Sequence, residues 1–372
     1  MKKSIRDLIP AHIHEIEPYR PGKPVEEVER ELGIRAIKLA SNENPLGPSP
    51  LAVEAAASEL RGANRYPDGG SYYLREKLAA RHGLPMDQVF VGLGSSEVID
   101  LIARALLGPG LEGLTAARSY PPYSISIAAS GAKLATARLN GFAYDLEAMA
   151  EAITPRTRAV FLANPNNPTG TYFGAAEFAS FLDRVPDEVV VVLDEAYCDY
   201  VEDGGYTRSL ELLREGRPNL VVLRTFSKVY GLAGLRVGYG LGPADLWTEL
   251  NKLKTPFNTA NVGQAAAIAA MDDAEHVRRS VTANREGRKQ IAEGLAEIGV
   301  KCVPSATNFI FIELGGDGDA FAARLLREGV IVRPMRWMGF AEAIRVSVGT
   351  REENKQFLEA FARVRTAEPA VR

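Results

Sequence analysis

Lys228 ends an apolar run in the segment VVLRTFSK, where a charged side chain is difficult to keep hydrated. Loss of hydration lowers the pKa of a lysine and leaves a neutral amine that can attack a carbonyl carbon. An isolated lysine at such a place more often extends its ammonium group to solvent. Here a second apolar run, VVVVLD, ends in the carboxylate of Asp194. The pair indicates a lysine and an acid that emerge from neighbouring strands, and therefore covalent chemistry on a carbonyl.

Residues suited to a phosphate occur at other strand ends. Ser95 and Ser96 follow a glycine-rich turn in VGLGSSEV, and backbone N–H groups at a helix start bind phosphate well. Ser227 and Arg236 flank the lysine. The turn alone is weak evidence, because it also fits an ordinary connection between a strand and a helix. Glu97 stands where the GxGxxG pattern needs glycine, which argues against a dinucleotide.

A cofactor that has a carbonyl group, a phosphate tail and a ring nitrogen would use all of these residues, and pyridoxal phosphate is such a cofactor. The turn NPNNPTG, which follows another apolar run, places Asn167 before a proline and could direct its amide into the same cleft. The Asp-Glu pair after an apolar strand also fits the magnesium-binding strand of nucleotide hydrolases. That interpretation requires a GxxxxGK[ST] loop, which the sequence lacks.

These residues need a scaffold that brings strand ends together. The segments QVFVGLG, RAVFLANP, EVVVVLDEAY and NLVVLRTFSK read as strands buried on both faces, with helical patterns between them. The alternation predicts an α/β fold with a mostly parallel, doubly wound sheet, whose ligands gather at the carboxyl ends of its strands. From about Ala260 a long helical stretch is followed by short strands (NFIFIEL, GVIVRP, AIRVSVG), which predicts a second, smaller α/β unit.

Composition excludes several classes of protein. The 372 residues include 46% hydrophobic and 24% charged residues, with a net charge of -3, which gives no electrostatic reason to bind nucleic acid or an anionic membrane. The four histidines lack metal-ligand spacing, so no metal is expected. The first twenty residues lack the apolar core of a signal peptide, and two cysteines fit a reducing compartment. We therefore expect a cytoplasmic protein.

The motifs KLASNENPLGPSP, RYPDGG, NPNNPTG, DEAYCDY, RTFSKVYGLAGLRVGYG and IRVSVGTREE together resemble the large family of pyridoxal-phosphate-dependent aminotransferases with the aspartate-aminotransferase fold. The resemblance runs nearly from end to end. It implies an arm at residues 1–40, a large cofactor-binding domain at 41–260 and a small domain at 261–372. It also implies a homodimer in which Tyr66 reaches the site of the neighbouring subunit.

The resemblance further implies roles for individual residues. Lys228 would form the Schiff base and move the proton, and Asp194 would pair with the ring nitrogen. Tyr197 and Asn167 would contact the phenolic oxygen of the ring. The phosphate would lie among Ser95, Ser96, Ser227 and Arg236, with Tyr66 of the neighbouring subunit. Arg345 would bind a substrate carboxylate, whereas Tyr19 and Arg333 would lie near the distal end of the substrate. Substrate choice would depend on the shape around Tyr19, Asn42 and Arg333, and Arg20 is a further candidate for the distal cation.

One motif departs from the family pattern. Where related sequences have an aromatic residue that stacks on the cofactor ring, this chain reads RSYPPYSIS. An alignment without gaps makes Tyr120 the stacking residue. The Pro121-Pro122 pair could shift the frame to Tyr123, so both tyrosines stay open.

Within the family, the SNENPLGP arm and the VGTREE ending favour enzymes that act on histidinol phosphate. The expected reaction is a ping-pong transamination in which glutamate and 2-oxoglutarate form one pair and histidinol phosphate and imidazole-acetol phosphate form the other. The main alternative is an aminotransferase for phenylalanine or tyrosine. A ligand-sensing domain without turnover and a decarboxylase of the same fold are further hypotheses.

Overall fold

The computed structural model describes residues 4–19 and 22–366. The strands are β1 (Ile37–Lys38), β2 (Val89–Gly92), β3 (Glu112–Ala116), β4 (Lys133–Ala137), β5 (Leu139–Asn140), β6 (Ala143–Tyr144), β7 (Thr157–Ala163), β8 (Val190–Asp194), β9 (Leu220–Thr225), β10 (Gly238–Leu241), β11 (Cys302–Val303), β12 (Phe309–Glu313), β13 (Val330–Ile331), β14 (Arg333–Pro334) and β15 (Ala343–Ser347).

The helices are α1 (Ala11–His14), α2 (Val25–Leu32), α3 (Pro50–Glu59), α4 (Tyr72–His82), α5 (Ser95–Leu106), α6 (Pro121–Ala129), α7 (Leu146–Glu151), α8 (Ala175–Leu182), α9 (Ser209–Arg214), α10 (Ala244–Leu253), α11 (Asn261–Ala270), α12 (Ala274–Glu297), α13 (Gly318–Arg327) and α14 (Arg351–Thr366). Over the described ranges, none of these helices is both long enough and apolar enough to cross a membrane.

The central sheet carries the functional side chains. Within residues 4–19 and 22–366 it has seven strands in the order β2-β10-β9-β8-β7-β3-β4. Strands β9, β8, β7, β3 and β4 run parallel to one another, whereas β10 is antiparallel to both of its neighbours. The predicted mostly parallel α/β sheet is thus confirmed. The middle of its parallel strands β7, β8 and β9 is apolar and buried, as expected for strands that helices cover on both faces.

A smaller sheet lies toward the end of the chain. Its strands β11, β12, β15 and β14 pair antiparallel around a separate core that includes Phe357 and Phe361. Strand β1, although early in the sequence, pairs with β13 beside this sheet. Helix α11 instead contributes Ala266, Ala267 and Ala270 to the core of the large sheet. The chain therefore crosses between the two units more than once, and side chains from both can line one cleft.

The long helical stretch near residue 260 is divided into two helices. Helix α11 ends at Ala270, and α12 begins after Asp273, whose side chain accepts a hydrogen bond from the backbone N–H of His276. A carboxylate at this position caps the new helix and satisfies one of its free donors. The division separates a helix that packs on the large core from one that leads into the small unit.

Candidate active site

A cavity of about 250 Å³ lies where the carboxyl ends of β7, β8 and β9 meet the start of α5 and the small sheet. The structure brings together at this cavity every residue predicted for the site except Tyr66. Its lining includes Tyr19, Asn42, Ser95, Ser96, Tyr120, Asn167, Asp194, Tyr197, Ser227, Lys228, Arg236, Arg333 and Arg345. Arg20 lies outside the described residues.

Lys228 projects into this cavity just beyond the end of β9. Its Nζ lies 3.4 Å from the carbonyl oxygen of Asn42 and 5.4 Å from the centre of the Tyr197 ring. Loss of hydration, together with the positive charge of Arg345, lowers the pKa of Lys228 to about 8. A substantial fraction of this amine is therefore neutral near physiological pH and can act as a nucleophile or a base.

Asp194, the last residue of β8, is held by hydrogen bonds to both of its oxygens. Oδ1 accepts from the backbone N–H of Ala196 at 3.1 Å, and Oδ2 accepts from the hydroxyl of Tyr123 at 2.9 Å. Burial raises the pKa of Asp194 to about 6, and the Tyr123 hydrogen bond opposes that rise. The carboxylate is consequently ionised at neutral pH in a dry place, which suits a cationic ring nitrogen as its partner.

The two tyrosines that the sequence left open occupy different positions. Pro121 begins helix α6, a position that proline favours, and Tyr120 stands directly before it. Tyr120 lies on the cavity wall, and its hydroxyl is 3.1 Å from Oγ of Ser96. Tyr123, one turn later, is fully buried, stacks on Phe161 and directs its hydroxyl to Asp194. The proline pair thus starts a helix that presents both residues to the site.

The start of α5 forms a cup suited to a phosphate. Gly94 precedes the helix with φ of 76°, and a Cβ atom there would lie 2.7 Å from Nη2 of Arg236. Ser95 and Ser96 begin the helix, so their backbone N–H groups and hydroxyls lie at its positive end. Arg236 also reaches Oγ of Ser227 at 3.4 Å. Donors of this kind around a helix N-terminus bind a dianion.

Asn42 links the large sheet to the small one. Its Nδ2 donates to the hydroxyl of Tyr197 at 2.9 Å, and its Oδ1 accepts from Oγ of Ser347 at 3.1 Å. Burial raises the pKa of Tyr197 to about 12, so its phenol stays protonated and can donate a hydrogen bond. The sequence associated Asn42 with the substrate, whereas in the structure its amide contacts Tyr197.

Two buried arginines from the small sheet line the same cavity. Arg333 on β14 is directly opposite Arg345 on β15 in the antiparallel pairing. Arg345 donates to Oδ1 of Asn167 and, at 3.0 Å, to the carbonyl oxygen of Ala40. Burial lowers the pKa of Arg345, and Arg333 acts in the same direction. Within the described residues no carboxylate forms an ion pair with Arg345 and its Nε has no hydrogen-bond partner, so the cavity wall at Arg345 favours an anion.

Tyr66 is the predicted site residue that the structure does not bring to the cavity of its own chain. Its side chain is 82% exposed and stacks on Phe257, with 4.8 Å between ring centres. Tyr72 and Tyr73 are exposed nearby in sequence, at the start of α4.

Sequence reasoning missed two contacts at the site. Tyr123 was considered only as a stacking residue, although two tyrosines three apart at a helix start share one helical face and could have suggested a role for both. Trp337, which packs against Arg333, gave no signal in the sequence, because the contact depends on the fold of the small unit.

The arrangement can hold a ligand with a phosphate at one end, a cationic ring nitrogen beside Asp194 and an aldehyde near Lys228. It can also hold a second, anionic molecule against Arg333 and Arg345. Binding by the phosphate cup and by Asp194 would orient the reacting carbon toward Lys228. These are the requirements of an amine-transfer site that works through a carbonyl cofactor.

Comparisons with known proteins agree with this geometry. The profile of the family described as "Aminotransferase class I and II" matches residues 34–361. A histidinol-phosphate aminotransferase of Anaeromyxobacter sp. (strain Fw109-5) is 48% identical over 96% of this chain and 99% of its own length. Histidinol-phosphate aminotransferase 2 of Pseudomonas aeruginosa is 46% identical over 95% of this chain and 96% of its own length.

Solved structures lead to the same group. The crystal structure of histidinol-phosphate aminotransferase from Sinorhizobium meliloti, in complex with pyridoxal 5'-phosphate, covers 97% of this chain and 98% of its own, with 28% identity and a TM-score of 0.88. An aspartate aminotransferase from Thermotoga maritima covers 96% and 100% of the two chains, with 25% identity and a TM-score of 0.85. The resemblance found in the sequence is confirmed, and the chain belongs to the class I and II aminotransferase family.

Proposed function

We propose that this protein is a pyridoxal-phosphate-dependent aminotransferase that converts L-histidinol phosphate and 2-oxoglutarate into imidazole-acetol phosphate and L-glutamate. The observation that carries the proposal is the pair of buried arginines, Arg333 and Arg345, which line the cavity from facing positions of β14 and β15. Two guanidinium groups placed side by side repel each other, and an anionic ligand offsets that cost. Relatives with this activity in their names support the same substrate.

The residues of the cavity fit pyridoxal phosphate. Its phosphate would be held by Ser95, Ser96, Ser227 and Arg236, where the absence of a side chain on Gly94 leaves room for the arginine. When bound, the cofactor supplies an aldehyde and a ring that accepts electrons. The remaining steps depend on groups of the chain itself.

Two residues handle charge and protons. Lys228 Nζ takes the proton from the substrate carbon that bears the amino group, and later returns a proton. Its pKa near 8 suits both directions at physiological pH. Asp194 remains ionised and would stabilise a positive charge on the ring nitrogen of the cofactor. The protonated hydroxyl of Tyr197 is available to donate to the phenolic oxygen of the ring.

Other residues would stack on the cofactor ring and select the substrate. We place Tyr120 against the face of the ring, because it lies on the cavity wall while Tyr123 is engaged by Asp194. Arg345 binds the carboxylate next to the reacting carbon of glutamate. Arg333 and Tyr19 bind the distal group, which is a carboxylate in glutamate and a phosphate in histidinol phosphate.

A homodimer completes the proposed site, with Tyr66 supplied by the second copy. The exposure of Tyr66 on its own chain supports this assignment, since an aromatic residue that is 82% exposed beside other exposed aromatic residues is typical of an interface. We also propose the division into residues 1–40, 41–260 and 261–372, in which helix α11 of the third segment packs back on the core of the second. A cytoplasmic location is proposed as well, which the free thiols Cys198 and Cys302 suit.

A panel of amino donors tests the substrate assignment. Histidinol phosphate, phenylalanine, tyrosine and aspartate are compared as donors with 2-oxoglutarate, in the wild-type protein and in Arg333→Gln. We expect histidinol phosphate to be the preferred donor. Loss of Arg333 should cost this substrate roughly 2–5 kcal/mol in kcat/KM, the scale for truncating one member of a buried charge pair.

The matched control is Arg363→Gln, which removes an exposed arginine paired with Glu328 on the surface. This variant should retain wild-type kinetics. A wild-type preference for phenylalanine or tyrosine would replace the proposal with an aromatic amino acid aminotransferase. The same conclusion would follow if Arg333→Gln left histidinol phosphate unaffected.

A further inference from the structure

Arg333 lies among the rings of two aromatic side chains. Its guanidinium carbon is 4.9 Å from the centre of the Trp337 ring and 5.6 Å from the centre of the Tyr19 ring. The two rings also meet each other edge to face, with 5.3 Å between their centres. The three side chains form one contact group, which we call the aromatic bracket (Tyr19, Arg333 and Trp337). A cation over an aromatic face is attracted by the electrons of the ring.

The position of Trp337 is fixed from outside the cavity. It sits in a short helical turn, Arg336–Met338, between the buried residues Met335 and Met338. Arg336 anchors the turn to helix α13, because it forms ion pairs with Asp317, at 2.7 Å, and with Asp319. Trp337 lines a neighbouring groove and not the cavity itself, so any effect on a ligand must pass through its cavity-lining neighbours Arg333 and Tyr19.

The aromatic bracket offsets part of the electrostatic repulsion between Arg333 and Arg345. Arg333 and Arg345 are cross-strand partners, and like charges in such positions repel. An arginine in this place would lower its energy by turning away from the cavity. Attraction to two rings holds the guanidinium in the bracket and offsets part of the repulsion. Arg333 is then already positioned when the distal group of a substrate arrives, and less ordering has to occur on binding.

The indole Nε1 of Trp337 is enclosed and has no hydrogen-bond partner among the residues that the structure describes. An enclosed donor without a partner is costly, so hydrogen bonding does not explain the choice of tryptophan here. The aromatic face of Trp337 and the volume of its ring are therefore the features that act on Arg333. A phenylalanine can supply most of both and lacks the unpaired donor.

We propose that Trp337 is a positioning residue for substrate specificity, which holds Arg333 ready for a distal phosphate or carboxylate on the substrate. This inference rests on the proposed function, in which Arg333 binds that distal group. In this proposal the whole aromatic bracket, and not Arg333 alone, determines the preference for substrates with an anionic end. Substrates without a distal charge gain nothing from it.

The kinetic test compares Trp337→Leu with Trp337→Phe, using histidinol phosphate and phenylalanine as donors. Trp337→Leu should raise KM for histidinol phosphate about 10-fold with a much smaller change in kcat, which equals about 1.4 kcal/mol of binding free energy. The kinetics with phenylalanine should change little. Trp337→Phe should restore most of the lost affinity, because it keeps an aromatic face over Arg333.

A spectroscopic test reports on the residue directly. The chain has two tryptophans, and the other, Trp247, is buried and donates from its Nε1 to the carbonyl oxygen of Gln88. Addition of inorganic phosphate to the holoenzyme, against chloride at equal ionic strength, should produce a saturable change in tryptophan emission. That change should be absent in Trp337→Phe and in Arg333→Gln.

The outcomes distinguish failure of the proposed function from failure of the role assigned to Trp337. If the wild-type protein does not turn over histidinol phosphate, the proposed function fails. If it does, but Trp337→Leu weakens both donors equally, or Trp337→Phe gives no rescue, Trp337 is structural and the inference alone fails. An emission change that is missing in the wild type, or that persists in Trp337→Phe, also overturns the inference.

Discussion

Tyr123→Phe removes one oxygen atom that donates a hydrogen bond to Asp194. The ring of Tyr123 is fully buried against Phe161, so phenylalanine can keep its packing. The hydroxyl lies 2.9 Å from Oδ2, and its removal leaves that oxygen without its donor. The substitution therefore isolates one hydrogen bond to the carboxylate without opening a cavity.

The expected rise in the pKa of Asp194 follows from the strength of the hydrogen bond that the substitution removes. A hydrogen bond to a charged group contributes about 1.5–3 kcal/mol, and each pH unit of pKa corresponds to about 1.4 kcal/mol. The pKa of Asp194 is about 6 with the Tyr123 bond in place. Loss of the bond destabilises the ionised form and should raise the pKa of Asp194 by about one to two pH units.

The sign of the pH effect is fixed by which form binds the cofactor. The ionised carboxylate neutralises a protonated ring nitrogen, so a protonated Asp194 must first lose its proton. Affinity of the apoprotein for pyridoxal phosphate is therefore lost as pH falls through the pKa of Asp194. In Tyr123→Phe this loss begins at higher pH. The variant should bind about 2- to 10-fold more weakly than the wild type at pH 7, and about equally at pH 9.

The assay is a titration of apoprotein with pyridoxal phosphate between pH 6 and 9, reported as the ratio of the two dissociation constants. Lys228 and Glu195, whose charges also act on Asp194, are common to both proteins, so their contributions cancel in the ratio. Tyr120→Phe is the matched control, since it removes a hydroxyl that contacts Ser96 instead. A ratio for Tyr123→Phe that stays constant over the whole range would refute the reasoning.

Three further predictions concern the lysine, the subunit contact and the backbone of the site. Lys228→Ala should lose transamination by at least about 10²- to 10⁴-fold, because one residue is both nucleophile and proton carrier, and borohydride reduction of the wild type should attach the cofactor at Lys228 in a peptide map. A mixture of inactive Lys228→Ala and Tyr66→Ala chains should recover activity once subunits exchange; no recovery after verified exchange would contradict a shared site. Gly231→Ala should lower the free energy of unfolding by roughly 2–5 kcal/mol in a denaturant titration, because Gly231 has φ of 71° and a Cβ there would collide with the backbone of Gly47. Gly234→Ala, with open space around it, should be nearly neutral, and equal effects of the two would argue against the collision.

Local patterns were sufficient for much of the scaffold. Strands β7, β8 and β9 each contain a continuous apolar run, a pattern typical of a sheet covered on both faces, and polar residues stand at or just after the end of each strand. Parallel strands deliver their carboxyl ends to one edge, so Asp194 and Lys228 could be expected to meet before any coordinates were known. The glycine-rich turn before α5 was also recognised as a possible phosphate site, although it fitted an ordinary connection between a strand and a helix equally well.

The hydrogen-bond partners of the site residues could not be predicted from local sequence patterns. Asn42 bonds to Tyr197 across 155 positions of sequence and to Ser347 across 305. Sequence reasoning placed Asn42 in the region that determines substrate specificity and did not predict either of these contacts. The break between α11 and α12 was also missed, even though the capping carboxylate of Asp273 is a local signal.

By itself, the sequence determined which segments are strands and helices, and which chemical groups stand at their ends, since both follow from the period of apolar residues and from local backbone preferences. Only the tertiary structure decided that Tyr123 supports Asp194, that Arg333 lies opposite Arg345 and that Trp337 packs on Arg333. These contacts depend on strand order, on pairing register and on the angle at which the small unit meets the large one. Such quantities are set by the packing of the whole chain, and no local window of residues contains them.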